Sequence, residues 1–72
     1  MSTFSDRLKE LRKTKNITQK TLASTVGITE RAYQDLEYGK FKPNHDNIVS
    51  LANSFQVSTD YLLGLTDNPE RQ

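Results

Sequence analysis

Arg31 and Asp35 stand four residues apart in a segment, residues 19–38, that also holds Glu30, Gln34 and Glu37. On a helix that spacing lets a guanidinium and a carboxylate pair, which would hold the arginine in one rotamer for directional hydrogen bonding. Covalent and metal chemistry find less to work with. The chain has no cysteine, which excludes thiol catalysis, thiol redox sensing, disulfides and cysteine zinc sites. Its one histidine, His45, adjoins Asp46, and a metal site needs more ligands than that neighbourhood supplies. It reads as a surface histidine, with no metal expected. Serine, histidine and aspartate are present but form no nucleophilic motif, and no glycine-rich phosphate loop occurs. Neither catalysis, a cofactor nor a small-molecule ligand is expected.

The frame for these residues is small. Seventy-two residues make about one domain, and 33% apolar content fills one marginal core and little else. No apolar run approaches the roughly 18 residues of a membrane span, and no charged-then-apolar leader opens the chain, so a cytoplasmic protein is expected. The net charge is only +1, but it is unevenly spread. Residues 1–20 carry six Lys/Arg against two acids, a net of +4; residues 21–42 balance three against three; residues 43–72 carry four acids against one arginine, a net of −3. Such a gradient can orient a molecule in an external field without identifying the field.

The apolar spacing is helical throughout. Phe4, Leu8 and Leu11 form one stripe of a helix over about 4–14 whose other faces carry Arg7, Lys9, Glu10, Arg12 and Lys13, with Thr3 as its cap and Asn16 as a left-handed stop. Thr18 caps a second helix through Thr25, with Leu22, Ala23 and Val26 inward. Gly27 makes the turn. Thr29 caps a third helix with Ala32, Tyr33 and Leu36 as apolar positions, ended by Gly39. Residues 40–43 form a loop ahead of Pro43. Asn44 caps a fourth helix with the stripe Ile48, Leu51, Ala52 and Phe55, and Ser58 caps a short fifth one with Asp60 in its first turn and Gly64 as its stop. Tyr38, Phe41 and Tyr61 are read, with Tyr33, as core and loop packing. The expected architecture is all-α: five short helices in an orthogonal bundle, with a domain at residues 1–65 and a polar tail or linker at 66–72.

Residues 19–38, QKTLASTVGITERAYQDLEY, combine a small residue after Leu22, a glycine at a tight turn, and apolar residues that brace the second of two short helices. A helix braced in this way protrudes, and its diameter of about 10–12 Å suits a B-DNA major groove about 12 Å wide. The chain here resembles the lambda-repressor-like, Cro/repressor type of helix-turn-helix regulator. The matching blocks are LKELRKTK at 8–15, ITQKTLA at 17–23, VGIT at 26–29, LEYGK at 36–40, Pro43, and VSTDYLLG at 57–64.

The resemblance implies a sequence-specific, double-stranded DNA-binding regulator of transcription, in this family most often a repressor. It would act as a homodimer on a pseudo-palindrome, with the third helices about 34 Å apart in successive major grooves. It implies base contacts from Thr29, Glu30, Arg31, Gln34 and Asp35, and DNA-backbone contacts from Gln19, Lys40 and Lys42. It further implies an ion pair between Arg12 and Glu37, and a dimer interface drawn from Val49, Gln56, Ser58 and Tyr61. Lys9, Lys13 and Lys15 are expected on a solvated face, with long-range steering as their role. Two features depart from the family pattern. Tyr33 replaces a branched aliphatic residue, so its hydroxyl must find a partner or reach toward DNA. Glu30 and Asp35 are acids where relatives carry amides or bases. Those acids have a use if Asp35 fixes Arg31 for guanine O6 and N7, or if either acid accepts from a cytosine N4. They also keep a second expectation open, a protein-interaction module of the same fold, such as an antitoxin half or an antagonist that forms mixed dimers.

Overall fold

The structure, a computed structural model, describes residues 3–70; Met1, Ser2, Arg71 and Gln72, the outer ends of the expected domain and tail, lie outside the described residues. Five helices follow one another: α1 Phe4–Thr14, α2 Gln19–Val26, α3 Glu30–Glu37, α4 His45–Phe55 and α5 Thr59–Leu62. No strand occurs among the described residues.

Local chemistry fixes where each helix begins. The side chains of Thr3, Thr18, Thr29, Asn44 and Ser58 accept from the backbone N–H three residues on, at 3.2, 3.1, 3.0, 2.8 and 3.0 Å. Each satisfies one of the orphan donors at a helix start. Left-handed residues close the turns: Asn16, Gly27, Gly39 and Gly64 as expected, and also Gln56 at φ +57°. The second helix runs one residue further than its spacing suggested, to Val26.

Each helix gives one large, fully buried side chain to the core: Leu8, Leu22, Tyr33, Leu51 and Leu62. Ala23, Leu36, Ala52, Phe55 and Val57 complete it. Burying a large side chain of this kind is worth about 1.5–3 kcal/mol. The helices pack in the pairs α2–α3, α1–α3, α2–α4, α4–α5 and α1–α5 around a Cα radius of gyration of 10.9 Å. Three inward or outward assignments change. Ala32, placed with the apolar positions of α3, is exposed. Asp35, placed on the outward face, is 9% exposed, because the last turn of α3 already faces the body of the domain. Arg7, placed off the apolar stripe of α1, is buried against Tyr61 of α5.

Candidate nucleic-acid interface

The first turn of α3 projects while its last turn anchors. Thr29, Glu30, Arg31 and Ala32 are exposed, whereas Tyr33, Asp35, Leu36 and Glu37 are buried. The reason is local and tertiary together. Ala23, 1% exposed, lets α3 approach α2 closely. The turn between them is set by Gly27 at φ +80° and by the Ile28 N–H donating to the Ala23 carbonyl at 3.0 Å.

Glu37 is the foot of that anchor. Arg12 Nε donates to Glu37 Oε2 at 2.8 Å and Arg12 Nη2 to Oε1 at 2.9 Å, while Arg12 Nη1 donates to the Ile17 carbonyl at 3.0 Å. One guanidinium therefore joins α1, the α1–α2 turn and α3. Burial alone would raise the Glu37 carboxyl, but hydrogen bonding and charge from Arg12 outweigh it and hold it below its ordinary 4.5. The Arg12 guanidinium is raised in turn, mainly by its hydrogen bonds to Glu37. Tyr33 lies beside this pair, 0% exposed. Burial first and Glu37 second push its phenol upward. Neither Glu37 nor Arg12 meets the hydroxyl in hydrogen-bonding geometry, so it neither finds a partner nor reaches outward.

A chain of amides runs from the anchor to the projecting turn. Gln19 Nε2 donates to Glu37 Oε1 at 3.3 Å, and Gln34 Nε2 donates to Gln19 Oε1 at 3.3 Å and to Glu30 Oε2 at 3.5 Å. Gln34 is half-buried, with its Nε2 engaged by Gln19 and Glu30. Arg31 is 79% exposed at its side chain, and its Nε stands 3.6 Å from Asp35 Oδ1. Lys40 and Lys42 are exposed on the α3–α4 loop. Beside Gln19 opens a groove of about 540 Å³ lined by Lys9, Arg12, Lys13, Lys20 and Tyr38, among others.

The four residues expected at a dimer interface are not alike. Gln56 is exposed and Val49 half-buried. Ser58 is already spent capping α5, and its N–H donates to the Pro69 carbonyl at 3.1 Å. Tyr61 carries the Arg7 guanidinium at 4.0 Å from its ring centroid, and Arg7 Nη2 also meets Asp67 Oδ1 at 3.4 Å. The segment after α5 therefore folds back over α5 and α1. Sequence reasoning missed Arg7, whose charge suggested solvent. It also missed the exposure of Tyr38 and Phe41, which their lysine-rich surroundings could have signalled. His45 and Asp46 are both exposed, and no group of three or more potential metal ligands occurs among the described residues. No helix among them is long and apolar enough to cross a membrane.

A projecting helix start on a five-helix scaffold, with amides and lysines around it, defines a class. The chain belongs to the helix-turn-helix domain family, whose pattern it matches over residues 6–68. It is 42% identical over 67 residues, 93% of this chain and 60% of the other, to YobD of Bacillus subtilis (strain 168), an uncharacterized HTH-type transcriptional regulator. It is 34% identical, over the same shares, to RstR of Vibrio cholerae, a cryptic phage CTXphi transcriptional repressor. Its fold is that of the lambda-repressor-like domains. It matches the phage P22 c2 repressor, solved in complex with a synthetic operator, at a TM-score of 0.82 and 32% identity, over 88% of this chain and 96% of that one. The restriction-modification controller protein C.AhdI of Aeromonas hydrophila gives 0.77 at 32% identity, over 82% and 89%. The chain spans about 60% of the length of the curated relatives YobD and RstR.

Proposed function

We propose that this chain is the DNA-reading part of a transcriptional regulator, a repressor that occupies an operator and so excludes polymerase, and that it works in the cytoplasm without catalysing a reaction. The observation that carries this reading is the division of α3 into a projecting first turn and an anchored last turn, on a scaffold that matches an operator-bound repressor along nearly its whole length. Arg31 donates through its two Nη groups to guanine O6 and N7, with Asp35 holding its Nε rather than touching a base. Glu30 accepts from a cytosine N4, and Thr29 reaches the same edge. Gln34 acts indirectly, by fixing Gln19 and Glu30. Gln19, Lys40 and Lys42 contact phosphates. The reader is a homodimer on a pseudo-palindrome, with the face around Val49 and Gln56 as the meeting surface.

The test is selection of bound duplexes from a randomised pool at near-physiological salt, with Arg31→Ala in parallel. An enriched palindrome is expected, with preference relaxed at one position per half-site and a loss of about 1–3 kcal/mol there. A folded wild-type chain that enriches nothing would sink the reading and favour the protein-interaction module, for which the exposed carboxylate of Glu30 would be the handle.

A further inference from the structure

The large apolar side chains left exposed among the described residues are Tyr38 at 56%, Phe41 at 66% and Leu65 at 72%. Two of the three sit three positions apart between the end of α3 and the start of α4, and Lys40 and Lys42 flank Phe41 directly in the sequence. No acid occurs from Tyr38 through His45; the first is Asp46. The segment leaves α3 on a fixed course, since the Gly39 N–H donates to the Leu36 carbonyl at 3.3 Å and the Lys40 N–H to the Asp35 carbonyl at 2.9 Å. Pro43 and the Asn44 cap, whose Oδ1 accepts from the Asn47 N–H at 2.8 Å, fix its far end. An exposed phenyl side chain with a lysine on either side of it in the sequence is a poor fit for an ordinary apolar protein groove. It suits a partner that is a polyanion on its rim and apolar within.

We propose that Phe41 packs into the DNA minor groove beside the major groove that α3 enters, so that the loop is a second reading element. This inference rests on the DNA-binding function proposed above. Eight residues give α3 a length of about 12 Å, close to the width of the major groove, so the chain leaving its last turn meets the sugar–phosphate wall. Lys40 and Lys42 pair with phosphates there, and Phe41 lies against deoxyribose and the edge of a base step. Apolar side chains in the minor groove act as wedges, and pyrimidine–purine steps open to them at least cost. The loop thereby sets preference at positions that α3 never touches.

The experiment uses the full chain and the duplex that the wild type selects, with 2-aminopurine placed in the flanking step. Phe41→Ala, Phe41→Leu and Lys40→Ala are compared by affinity, salt dependence, 2-aminopurine fluorescence and reselection of the flanks. Phe41 is exposed, so the variants are expected to stay folded, which circular dichroism checks. Phe41→Ala should bind roughly tenfold more weakly, lose the pyrimidine–purine preference and the fluorescence rise, and keep the wild-type salt slope; Phe41→Leu, still a wedge, should retain most of each. Lys40→Ala, which removes one phosphate contact from each subunit of the dimer, should instead lower the log–log salt slope by about 1.8 and keep the flank preference. Unchanged affinity and unchanged flanks in Phe41→Ala would overturn the proposal. So would a weakening explained by dissociation of a dimer in sedimentation, which would assign the ring to a protein surface. A wild-type chain that selects no duplex fails at the earlier step and takes the DNA reading down with it.

Discussion

Glu37 shows how a single side chain can tie recognition to stability. Its carboxylate is 1% exposed and meets a guanidinium that is itself 15% exposed, so removing either partner strands a charge in a poorly solvated place. Glu37→Gln is expected to cost about 3 kcal/mol in urea unfolding. The pH dependence has a definite sign. Glu37 is held below 4.5 in the folded chain, so its contribution is present above that value and disappears as pH falls through the depressed one. Wild-type stability should therefore drop on acidification below about pH 4.5, and the drop should be shallower in Glu37→Gln; parallel curves for the two would refute the assignment. Tyr33 gives the opposite lesson. Its hydroxyl is buried without a hydrogen bond, a state that costs about 1–3 kcal/mol and that Phe would not incur. Tyr33→Phe should leave stability unchanged or raise it by about 1 kcal/mol, and a clear loss would mean that the hydroxyl does bond to Glu37.

Helix boundaries were legible in the sequence because capping is a contract between residues three positions apart, and Thr18, Thr29 and Ser58 announce it without help from the rest of the chain. Gln56 was not legible, since a glutamine carries no sign that it must turn left-handed. What puts it there is the packing of α4 against α5 across only three residues, 56–58, with the reversal at Gln56 letting the Val57 N–H reach the Ala52 carbonyl at 3.0 Å. Two of the left-handed closures, Gly27 and Gln56, make a matched experiment. Gly27 at φ +80° has nothing within 4 Å of the place a Cβ would take, so Gly27→Ala pays in backbone conformation alone, about 1 kcal/mol. Gln56→Gly relieves the same strain and should stabilise by up to about 1 kcal/mol, less the entropy glycine adds to the unfolded chain. Thermal or urea midpoints that move in the same direction for both would show that packing around the turns, rather than φ, governs them. Asp35 was misread for a related reason. Spacing says which residues share a face of α3, but which part of that face is covered depends on helices distant in sequence.

The whole molecule is closed by a contact that spans almost its full length, and its character decides what the closure is worth. Arg7 on α1 is 7% exposed, lies over the Tyr61 ring of α5 at 4.0 Å, and meets Asp67 sixty residues away at 3.4 Å. The carboxylate is fully exposed and the distance is long, so water and salt screen that pair. The guanidinium plane on the ring and the buried alkyl stem are not screened in this way. The closure should therefore be carried by Arg7 on Tyr61, with Asp67 as an accessory. Arg7→Ala is expected to lose about 2 kcal/mol, from the cation–π contact and the packing it leaves empty. Asp67→Asn should leave the urea midpoint close to wild type, and the gap between the two variants should persist at high salt. The consequence reaches the recognition surface, because α1 also brings Arg12 to Glu37 at the foot of α3. A loosened α1 should then weaken DNA binding in Arg7→Ala although that side chain lies away from α3. If Asp67→Asn instead proves the more damaging change, and salt erases the difference, the segment after α5 is the electrostatic latch that holds the bundle shut.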